Sequence, residues 1–498
     1  MRWEPTMNFE NTALHLPTDR VHRTSCLIVL LCSALVLSAY ASSARADTPL
    51  QLSRGPHLFI DDYLIDQSTG LVRTTHRPEK LPQPILAKAE SWHQQPLFFL
   101  KVMRDPRGDL FRMWYNVKNP GAHPPVCFAY AESECGIHWR RPNLGLVEIG
   151  GSTANNLIVA TFGKFGLFFI DDGPDCPDPA RRYKMAHYGP GLSVLFSADG
   201  RRFKEYDKNP VLPASKGGKS VISDIIDGCW DPLRKQYLIG CKIEADGYPG
   251  KPHYHHEGFR RIVGMTVSKD FIHWRTPWRI VTPDPKNGIE EFYGMQPMVR
   301  GDLYLGFLRV LRDDLPADAG GPVMGIGWTE LITSRDGERW TRYQQPFLDR
   351  NTKPGTWDHA FAWVGDCVTV GEQEYVYYGG YSAGHKIGDR QVGLARLRKN
   401  GFVSRDAGPK GGSLRTPPLR WNANALTVNA VVKGELRVRL LDEQGKAMSG
   451  FDWPDAPPIR GDSVAHRVSF KDHLASLKGR TVRLEFSLRD AQLYGFDF

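Results

Sequence analysis

The sequence predicts an all-β fold: a five-bladed β-propeller followed by a C-terminal β-sandwich. Three observations support this prediction. A short phrase recurs along the chain, a strand-rich unit precedes each copy of it, and the repeat stops near Gly408, where a different strand pattern begins. A period of roughly 60–70 residues is typical of folds built from similar units placed side by side.

The recurrent phrase ends in an aromatic residue six positions after its first residue. Four clear copies and one degraded copy are present: S-E-C-G-I-H-W from Ser133, S-A-D-G-R-R-F from Ser197, S-K-D-F-I-H-W from Ser268, S-R-D-G-E-R-W from Ser334 and R-L-R-K-N-G-F from Arg396. Asp side chains bond to the nearby backbone and Gly permits positive φ, so the phrase predicts the same tight turn in each unit.

A run rich in aromatic and β-branched residues precedes each phrase. These strand-like runs begin at Phe111, Tyr183, Gln236, Leu303 and Glu374, and each follows a turn signal and another apolar run. Each unit therefore reads as four antiparallel strands, with no amphipathic helix between units. Five such units predict a five-bladed propeller. A row of β-sandwiches with similar turns is the alternative.

Both ends of the predicted propeller can be placed. Residues 47–407 contain the repeats, and Leu71 to Leu86 resembles the tails that follow later phrases at Asn209 and Gln345. This segment is predicted to supply the missing outer strand of the last blade and so to close the ring. After the flexible segment Gly408 to Ser413, residues 408–498 show alternating strands that predict a β-sandwich.

The first 46 residues are predicted to be a signal peptide region. Arg20 and Arg23 precede the apolar run Cys26–Ala39, and Ala44-Arg45-Ala46 is a small-x-small cleavage site. The apolar run is too short for a stable membrane anchor. We therefore expect a secreted or periplasmic protein with no membrane partner after cleavage. The net charge of +9 is dispersed, so no nucleic-acid partner is expected.

The innermost strands of a propeller line a central funnel, so the start of each blade's first strand is where a ligand would bind. Acids, aromatics, His and Asn occupy the predicted starts: Trp92, His93, Asn155, Asn156, Asp224, Glu290, Glu291, Tyr293, Trp357, Asp358 and His359. His385, after the second strand of the last blade, can line the mouth. For any single acid, capping a turn is the alternative.

Paired carboxylic acids suit the cleavage of a glycosidic bond, because one protonates the leaving oxygen and the other attacks or activates water. Asp224, Glu291 and Asp358 are therefore the candidate catalytic residues, and the remaining members of the set are candidate contacts to a carbohydrate substrate. The run His253–His256 has no acidic partner at a fixed spacing, and no C-x-x-C motif is present. No metal site or cofactor is predicted.

The segment Val267 to Trp274, with the P-D at Pro283, resembles a turn that recurs in the five-bladed glycoside hydrolases of families 32, 43, 62 and 68. A propeller followed by a sandwich resembles the family 32 layout, and also a group of exported bacterial proteins with a family-32-like N-terminal propeller. The resemblance implies the fold and a glycoside hydrolase activity. It also allows a Ca²⁺ ion near the propeller axis, held through water by His385, which no ligand spacing specifies.

The motifs do not transfer the family's catalytic acids to this chain. The W-M-N-D-P-N-G nucleophile motif is absent, and both Arg104-Asp105-Pro106 and Glu134-Cys135 are predicted to lie in turns. By position alone, Glu291 is the predicted acid, Asp224 the nucleophile or base, and Asp358 a positioning group. Two alternatives stay open: a non-catalytic carbohydrate-binding propeller, and a polysaccharide lyase with Tyr293 or His359 as the base.

Overall fold

A computed structural model describes residues 48–52, 55–88, 95–105, 110–118, 126–161, 166–189, 191–216 and 219–498. The predicted signal region 1–46, Trp92 and His93 lie outside these residues. The described part of the chain contains strands, loops and short 3₁₀ helices at Pro179–Arg181, Pro285–Asn287, Trp453–Asp455 and Leu474–Leu477, and no α-helix. No helix in these ranges is long and apolar enough to cross a membrane. The all-β prediction is confirmed.

The strands before the first repeat are short. They are β1 (His57–Leu58), β2 (Gln67–Thr69), β3 (Val72–Thr75) and β4 (Glu79–Lys80). Their partners lie far along the chain, at the last blade and in the C-terminal sheet.

Five successive groups of four antiparallel strand positions follow. The first two comprise β5 (Gln95–Arg104), β6 (Phe111–Lys118), β7 (Val126–Ser133) and β8 (Leu157–Thr161), then β9 (Phe168–Asp171), β10 (Tyr183–Gly189), β11 (Gly191–Ser197), β12 (Lys204–Glu205) and β13 (Leu212–Pro213). In the second group, β12 and β13 share the outer position beside β11. A small hairpin, β14 (Ser215–Lys216) and β15 (Lys219–Ser220), leads onward.

The third, fourth and fifth groups have longer strands. They comprise β16 (Ile226–Asp231), β17 (Gln236–Ala245), β18 (Arg260–Ser268) and β19 (Trp278–Val281); then β20 (Glu290–Arg300), β21 (Leu303–Arg312), β22 (Ile326–Ser334) and β23 (Thr341–Leu348); then β24 (Phe361–Val370), β25 (Gln373–Tyr381) and β26 (Arg390–Arg398). The outer position of the fifth group is filled by β4, where Lys80 pairs with Ala395 and Glu79 with Arg396.

The first strands of the groups form a closed cycle. β5 contacts β9, β9 contacts β16, β16 contacts β20, β20 contacts β24, and β24 returns to β5. Aromatic and aliphatic side chains pack between neighbouring groups, as where Trp114 of β6 stacks on Phe169 of β9 with 3.8 Å between ring centroids. A cyclic arrangement of four-stranded sheets around an axis is a β-propeller.

The recurrent phrase forms the same turn in each of the first four groups. In the fourth, the hydroxyl Oγ of Ser334 accepts the backbone N–H of Asp336 (3.3 Å) and of Gly337 (2.8 Å), and Trp340 Nε1 donates to the carbonyl of Gly337 (3.2 Å). Gly337 has a φ of +66°, a conformation that glycine adopts without a Cβ clash. The third copy carries Phe271 at the equivalent position, with a φ of +69°.

The C-terminal sheet gathers strands from both ends of the chain. It contains β27 (Val403–Ala407), β28 (Gly412–Arg415), β29 (Leu419–Arg420), β30 (Thr427–Leu441), β31 (Ile459–Arg467) and β32 (Thr481–Asp497). β32 pairs with β1, β27, β28, β29 and β30, while β3 pairs with β27 and β2 with β28. The predicted boundary at Gly408 falls between β27 and β28, which both pair with β32.

Candidate functional site

A cavity of about 220 Å³ lies where the first strands of the blades begin. The first, third, fourth and fifth of the strand groups, which form blades, contribute to its described lining: Leu97, Phe98, Phe99, Lys118, Asp224, Tyr293, Trp363, Tyr381, His385, Lys386 and Arg390. Most of these residues lie near the starts of the innermost strands or the ends of the strands paired with them. We call it the central cavity.

Aromatic side chains form the floor of the central cavity. The ring of Tyr293 stacks on that of Trp363, with 4.6 Å between centroids and 18° between planes. Phe98 meets Trp363 edge-on at 5.1 Å. Trp363 is fully buried and anchored by a 3.0 Å hydrogen bond from its Nε1 to the carbonyl of Val310. A rigid apolar floor with polar groups placed around it is typical of a small-molecule site.

A buried dyad of Asp313 and His385 stands beside this floor. His385 Nδ1 lies 3.0 Å from Asp313 Oδ1, and the imidazole meets the Tyr293 ring edge-on at 4.9 Å. Burial lowers the pKa of His385 to about 4 against the opposing effect of Asp313, so the ring is neutral at pH 7. Because Nδ1 then donates to the carboxylate, Nε2 is left as the acceptor.

Arg261 links this dyad to Glu291. Its guanidinium bonds Glu291 Oε2, lies 3.5 Å from Asp313 Oδ2, and donates to His255 Nε2 at 2.5 Å. Glu291 is fully buried and also accepts the backbone N–H of Arg261 at 3.0 Å. Burial raises the pKa of Glu291, with the charge of Arg261 opposing that shift. For Asp313, burial likewise acts to raise the pKa, but the hydrogen bond from His385 and the charge of Arg261 outweigh it and hold the pKa below its usual value.

Two further carboxylates meet at Ser223. The hydroxyl of Ser223 lies 3.3 Å from Asp224 Oδ1 and 3.3 Å from Glu244 Oε1. Asp224 Oδ1 is also ion-paired with Lys242, whose ammonium lies 5.1 Å from the centre of the Tyr293 ring. The two carboxylate oxygens at Ser223 are therefore at most twice 3.3 Å apart. Both acids are partly accessible to solvent.

The structure brings together four of the residues predicted from sequence. Asp224, Tyr293 and His385 line the central cavity, and Glu291 lies beneath it under Arg261. Glu291 has no exposed surface, so it reaches the cavity only through Arg261.

The other predicted residues lie elsewhere. Asp358 Oδ2 forms an ion pair with the ammonium of Lys80 in β4 at 2.6 Å. It also accepts a 3.2 Å hydrogen bond from the hydroxyl of Tyr378. The Trp357 ring stacks on Tyr378, and His359 Nε2 lies 2.8 Å from Asp318 Oδ1. These three predicted residues precede β24 in a loop, because the strand begins only at Phe361. The expected convergence of Asp358 with Asp224 and Glu291 is not found.

Glu290, Asn155 and Asn156 also point away from the cavity. Glu290 forms a bidentate ion pair with Arg342 of the outer strand β23, whose two terminal nitrogens donate to its carboxylate at 2.7 and 2.8 Å. Asn155 and Asn156 precede β8, which is the outer strand of the first blade and not the inner strand of the second. Asn156 Nδ2 donates to the Tyr115 hydroxyl at 2.8 Å, a contact that holds its own blade together.

Sequence reasoning missed most of the polar residues around the cavity. Three of them, Lys118, Lys386 and Arg390, line the cavity. The other four interact with lining residues or with the neighbouring Ser223, and are Lys242, Glu244, Arg261 and Asp313. They lie at the ends of second strands, at the starts of third strands, or in the loops that join them. In an antiparallel hairpin, the end of the second strand lies beside the start of the first. That relation was available from the sequence and could have identified them.

A larger cavity of about 430 Å³ lies between the first and second blades. Both of its carboxylates are paired with cations of the same lining: Arg182 Nε donates to Asp171 at 2.7 Å, and Arg112 donates to Asp105 at 3.0 Å. Each of these ion pairs joins the first and second strands of one blade. The larger cavity is therefore a structural gap, and the smaller central cavity is the candidate site.

Comparison with known proteins gives likenesses of structure only. No protein-family model matches the sequence, and no curated protein matches it. A solved structure titled "Glycoside hydrolase" aligns at 16% identity over 65% of this chain and 91% of its own, with a TM-score of 0.45. Bombyx mori GH32 β-fructofuranosidase BmSUC1 aligns at 10% identity over 84% and 94%, with a TM-score of 0.41.

A thermostable family-43 glycoside hydrolase is similar at 13% identity, over 63% of this chain and 92% of its own, with a TM-score of 0.41. Families 32 and 43 are both among those that the sequence resembles. At these identities and TM-scores the likenesses carry no inference about the chemistry of the central cavity. That chemistry has to be argued from the residues around it.

Proposed function

We propose that this chain is an exported glycoside hydrolase that cleaves a glycosidic bond at the central cavity, with Asp224 and Glu244 as the two working acids. The observation that carries the proposal is the pair of carboxylates held at 3.3 Å on either side of the Ser223 hydroxyl. Glycoside hydrolysis needs two such groups flanking one bond. The predicted signal region supports action outside the cytoplasm.

The environment of the two acids supports different roles. Lys242 is ion-paired with Asp224, which favours the charged carboxylate that a nucleophile or base requires. A hydroxyl has a single proton, so Ser223 cannot donate to both carboxylates at once. A proton on Glu244 would satisfy the arrangement, because Glu244 would then donate to Ser223 while Ser223 donates to Asp224. Glu244 is accordingly assigned as the acid in place of the buried Glu291.

The proposed reaction proceeds in two steps. The Asp224 carboxylate attacks the anomeric carbon while Glu244 transfers its proton to the leaving glycosidic oxygen, and the C–O bond breaks. Glu244 then removes a proton from water, whose oxygen replaces Asp224 on the anomeric carbon. The upper limit of twice 3.3 Å between the two oxygens includes the roughly 5–5.5 Å of retaining enzymes and lies at the lower edge of the roughly 6.5–9.5 Å of inverting enzymes, so the retaining course is the one proposed. Arg261 and Glu291 would support the floor below.

The purified protein should be incubated with neutral and acidic polysaccharides, with reducing ends and unsaturated products both recorded. We expect Asp224→Asn and Glu244→Gln each to lower kcat by at least about a hundredfold. Glu338→Gln is the matched control, because Glu338 is half-exposed and, among the described residues, its carboxylate forms an ion pair with Arg275 alone, at 3.4 Å. Cleavage that survives both cavity substitutions would refute the assignment. Retention of a glycan without cleavage would favour a binding module.

The Asp313–His385 dyad favours a polysaccharide lyase as the second candidate. A neutral imidazole oriented by a carboxylate can remove the proton next to a uronate carboxyl group. Of the bases suggested by the sequence, Tyr293 is disfavoured because burial raises its pKa, and His359 lies away from the cavity. Unsaturated products that disappear in His385→Gln, while Glu244→Gln keeps its rate, would establish the lyase.

A further inference from the structure

Three cations that line the central cavity have no carboxylate partner in the part of the chain that the structure describes. Lys118 ends β6, while Lys386 and Arg390 lie in and after the loop that leads into β26. None of the three forms an ion pair with any carboxylate in the described ranges. In contrast, Lys242 is paired with Asp224, and Arg261 is paired with Glu291. The cavity lining therefore carries three unpaired positive charges against one carboxylate that is already neutralised.

The contacts of Arg390 and Lys386 hold these two cations in place without neutralising them. Arg390 is 8% exposed, donates from one terminal nitrogen to the His385 carbonyl at 3.2 Å, and lies over the Tyr381 ring at 4.7 Å. The Lys386 ammonium lies 4.0 Å from the centre of the Tyr254 ring. Aromatic faces and carbonyls favour a cation but leave its charge in place.

The like charges act on one another. Burial, and then the charge of Arg390, lower the pKa of Lys118. Burial, and then the charge of Arg261, lower the pKa of Lys386. Bringing cations together in a partly buried cavity costs free energy that a bound anion would offset. Arg390 in particular keeps guanidinium N–H groups for which no carboxylate acceptor is present in the described residues, and such a fork suits a carboxylate or sulfate.

We propose that the central cavity binds an anionic sugar residue, with its carboxylate or sulfate on Lys118, Lys386 and Arg390 and its ring against the aromatic floor. This inference deepens the proposed function and rests on it for the identity of the ligand as a sugar. The cavity of about 220 Å³ is small, so one residue of the glycan would occupy it. Asp224, which also lines the cavity, would then face the glycosidic bond of the bound sugar.

Binding should be measured by calorimetry on the full-length exported protein carrying Asp224→Asn, which suppresses turnover. The probes are oligogalacturonides, sulfated galactan oligosaccharides and neutral galactan oligosaccharides of equal length. We expect an anionic probe to bind at least about tenfold more tightly than its neutral counterpart, with affinity falling as salt rises. The oligogalacturonide and sulfated arms distinguish a carboxylate from a sulfate as the anion. Equal affinity for all three probes, or no binding to any, overturns the proposal.

Charge-removing variants locate the anion. Lys386→Gln and Lys118→Gln should each weaken binding of the anionic probe by about tenfold and leave neutral probes unaffected. Lys410→Gln, at an exposed position in the C-terminal sheet region, is the matched control. Unchanged anion affinity in both cavity variants would refute the assignment. If the parent protein cleaves neutral glycans with no preference for anionic ones, the anionic-sugar inference is wrong and the hydrolase proposal stands. If it binds anionic glycans but cleaves none, the hydrolase proposal is wrong and the anion-binding site stands.

Discussion

Arg309 and Asp227 form a buried ion pair close to the propeller axis, and its removal is a sharp test of how the blades are held together. The guanidinium donates to the two carboxylate oxygens of Asp227 at 2.6 and 2.8 Å, and its Nε donates to the Val364 carbonyl at 2.8 Å. It also lies 4.5 Å from the centre of the Phe98 ring. One cation thus joins the third, fourth, fifth and first blades, and both members of the pair are at most 1% exposed.

Asp227→Asn keeps the shape of the site but leaves the Arg309 charge buried without a counterion. The Val364 and Phe98 contacts persist in the variant, so they do not offset the loss. Removing one partner of a buried ion pair costs about 3–5 kcal/mol. That is a large fraction of the roughly 5–15 kcal/mol that stabilises a typical domain. We expect the free energy of unfolding to fall by this amount.

Urea unfolding followed by tryptophan fluorescence measures the effect through the shift of the midpoint. Glu338→Gln, which removes an exposed ion pair with Arg275, is the control and should cost less than about 1 kcal/mol. Asp227→Leu combined with Arg309→Met should recover most of the loss, because no unpaired charge remains. A cost below about 1 kcal/mol for Asp227→Asn would refute the reasoning.

Two further predictions concern the repeated turn and a buried histidine. Gly337→Ala should cost about 1–2 kcal/mol in urea unfolding, since φ there is +66°, whereas Gly408→Ala, with no atom near its Cβ, should be almost neutral. His187 has a pKa lowered to about 4 by burial, and neither ring nitrogen has a hydrogen-bond partner among the described residues. The unfolded chain therefore takes up its proton near pH 6.5 and the folded chain only near pH 4, so stability is lost as pH falls through that window. His187→Phe should flatten this loss, which is on the order of 3 kcal/mol for one such histidine, while exposed His473→Gln should not; equal slopes in both variants would contradict the prediction.

The fold was predictable because the recurrent phrase encodes a local structure. Ser, Asp and an aromatic residue at fixed spacing make hydrogen bonds within seven residues, as at Ser334, Asp336 and Trp340. Such a turn depends little on distant parts of the chain, so its copies can be recognised without the structure. The apolar runs between the copies then fix the strand order.

The candidate site was only partly predictable, because it depends on which face of a strand each residue occupies. Glu290 and Glu291 are adjacent, yet Glu290 faces Arg342 of the outer strand and Glu291 faces Arg261 under the cavity. Successive residues of a strand point to opposite faces, and a one-residue error in the start reverses both. A bulge at Phe292/Gly294 then leaves Tyr293 without a paired residue on β21, next to the cavity.

The register of the inner hairpins determines which residues lie beside the starts of the first strands. Ile226, at the start of β16, pairs with Cys241 of β17, and the N–H of Lys242 donates to the Ile225 carbonyl at 3.1 Å. Phe361, at the start of β24, pairs likewise with Tyr381 at the end of β25. Every inner strand start therefore has a second-strand end beside it, and the two together surround the axis. Asp224 precedes a first strand, whereas Lys118, Lys386 and Arg390 lie at the end of a second strand, in the loop after one, and at the start of a third strand, so the strand starts alone do not indicate the charge of the cavity. The proposed preference for an anionic sugar follows from these three cations. Strand starts alone therefore predict paired acids but not the cations that would bind the substrate.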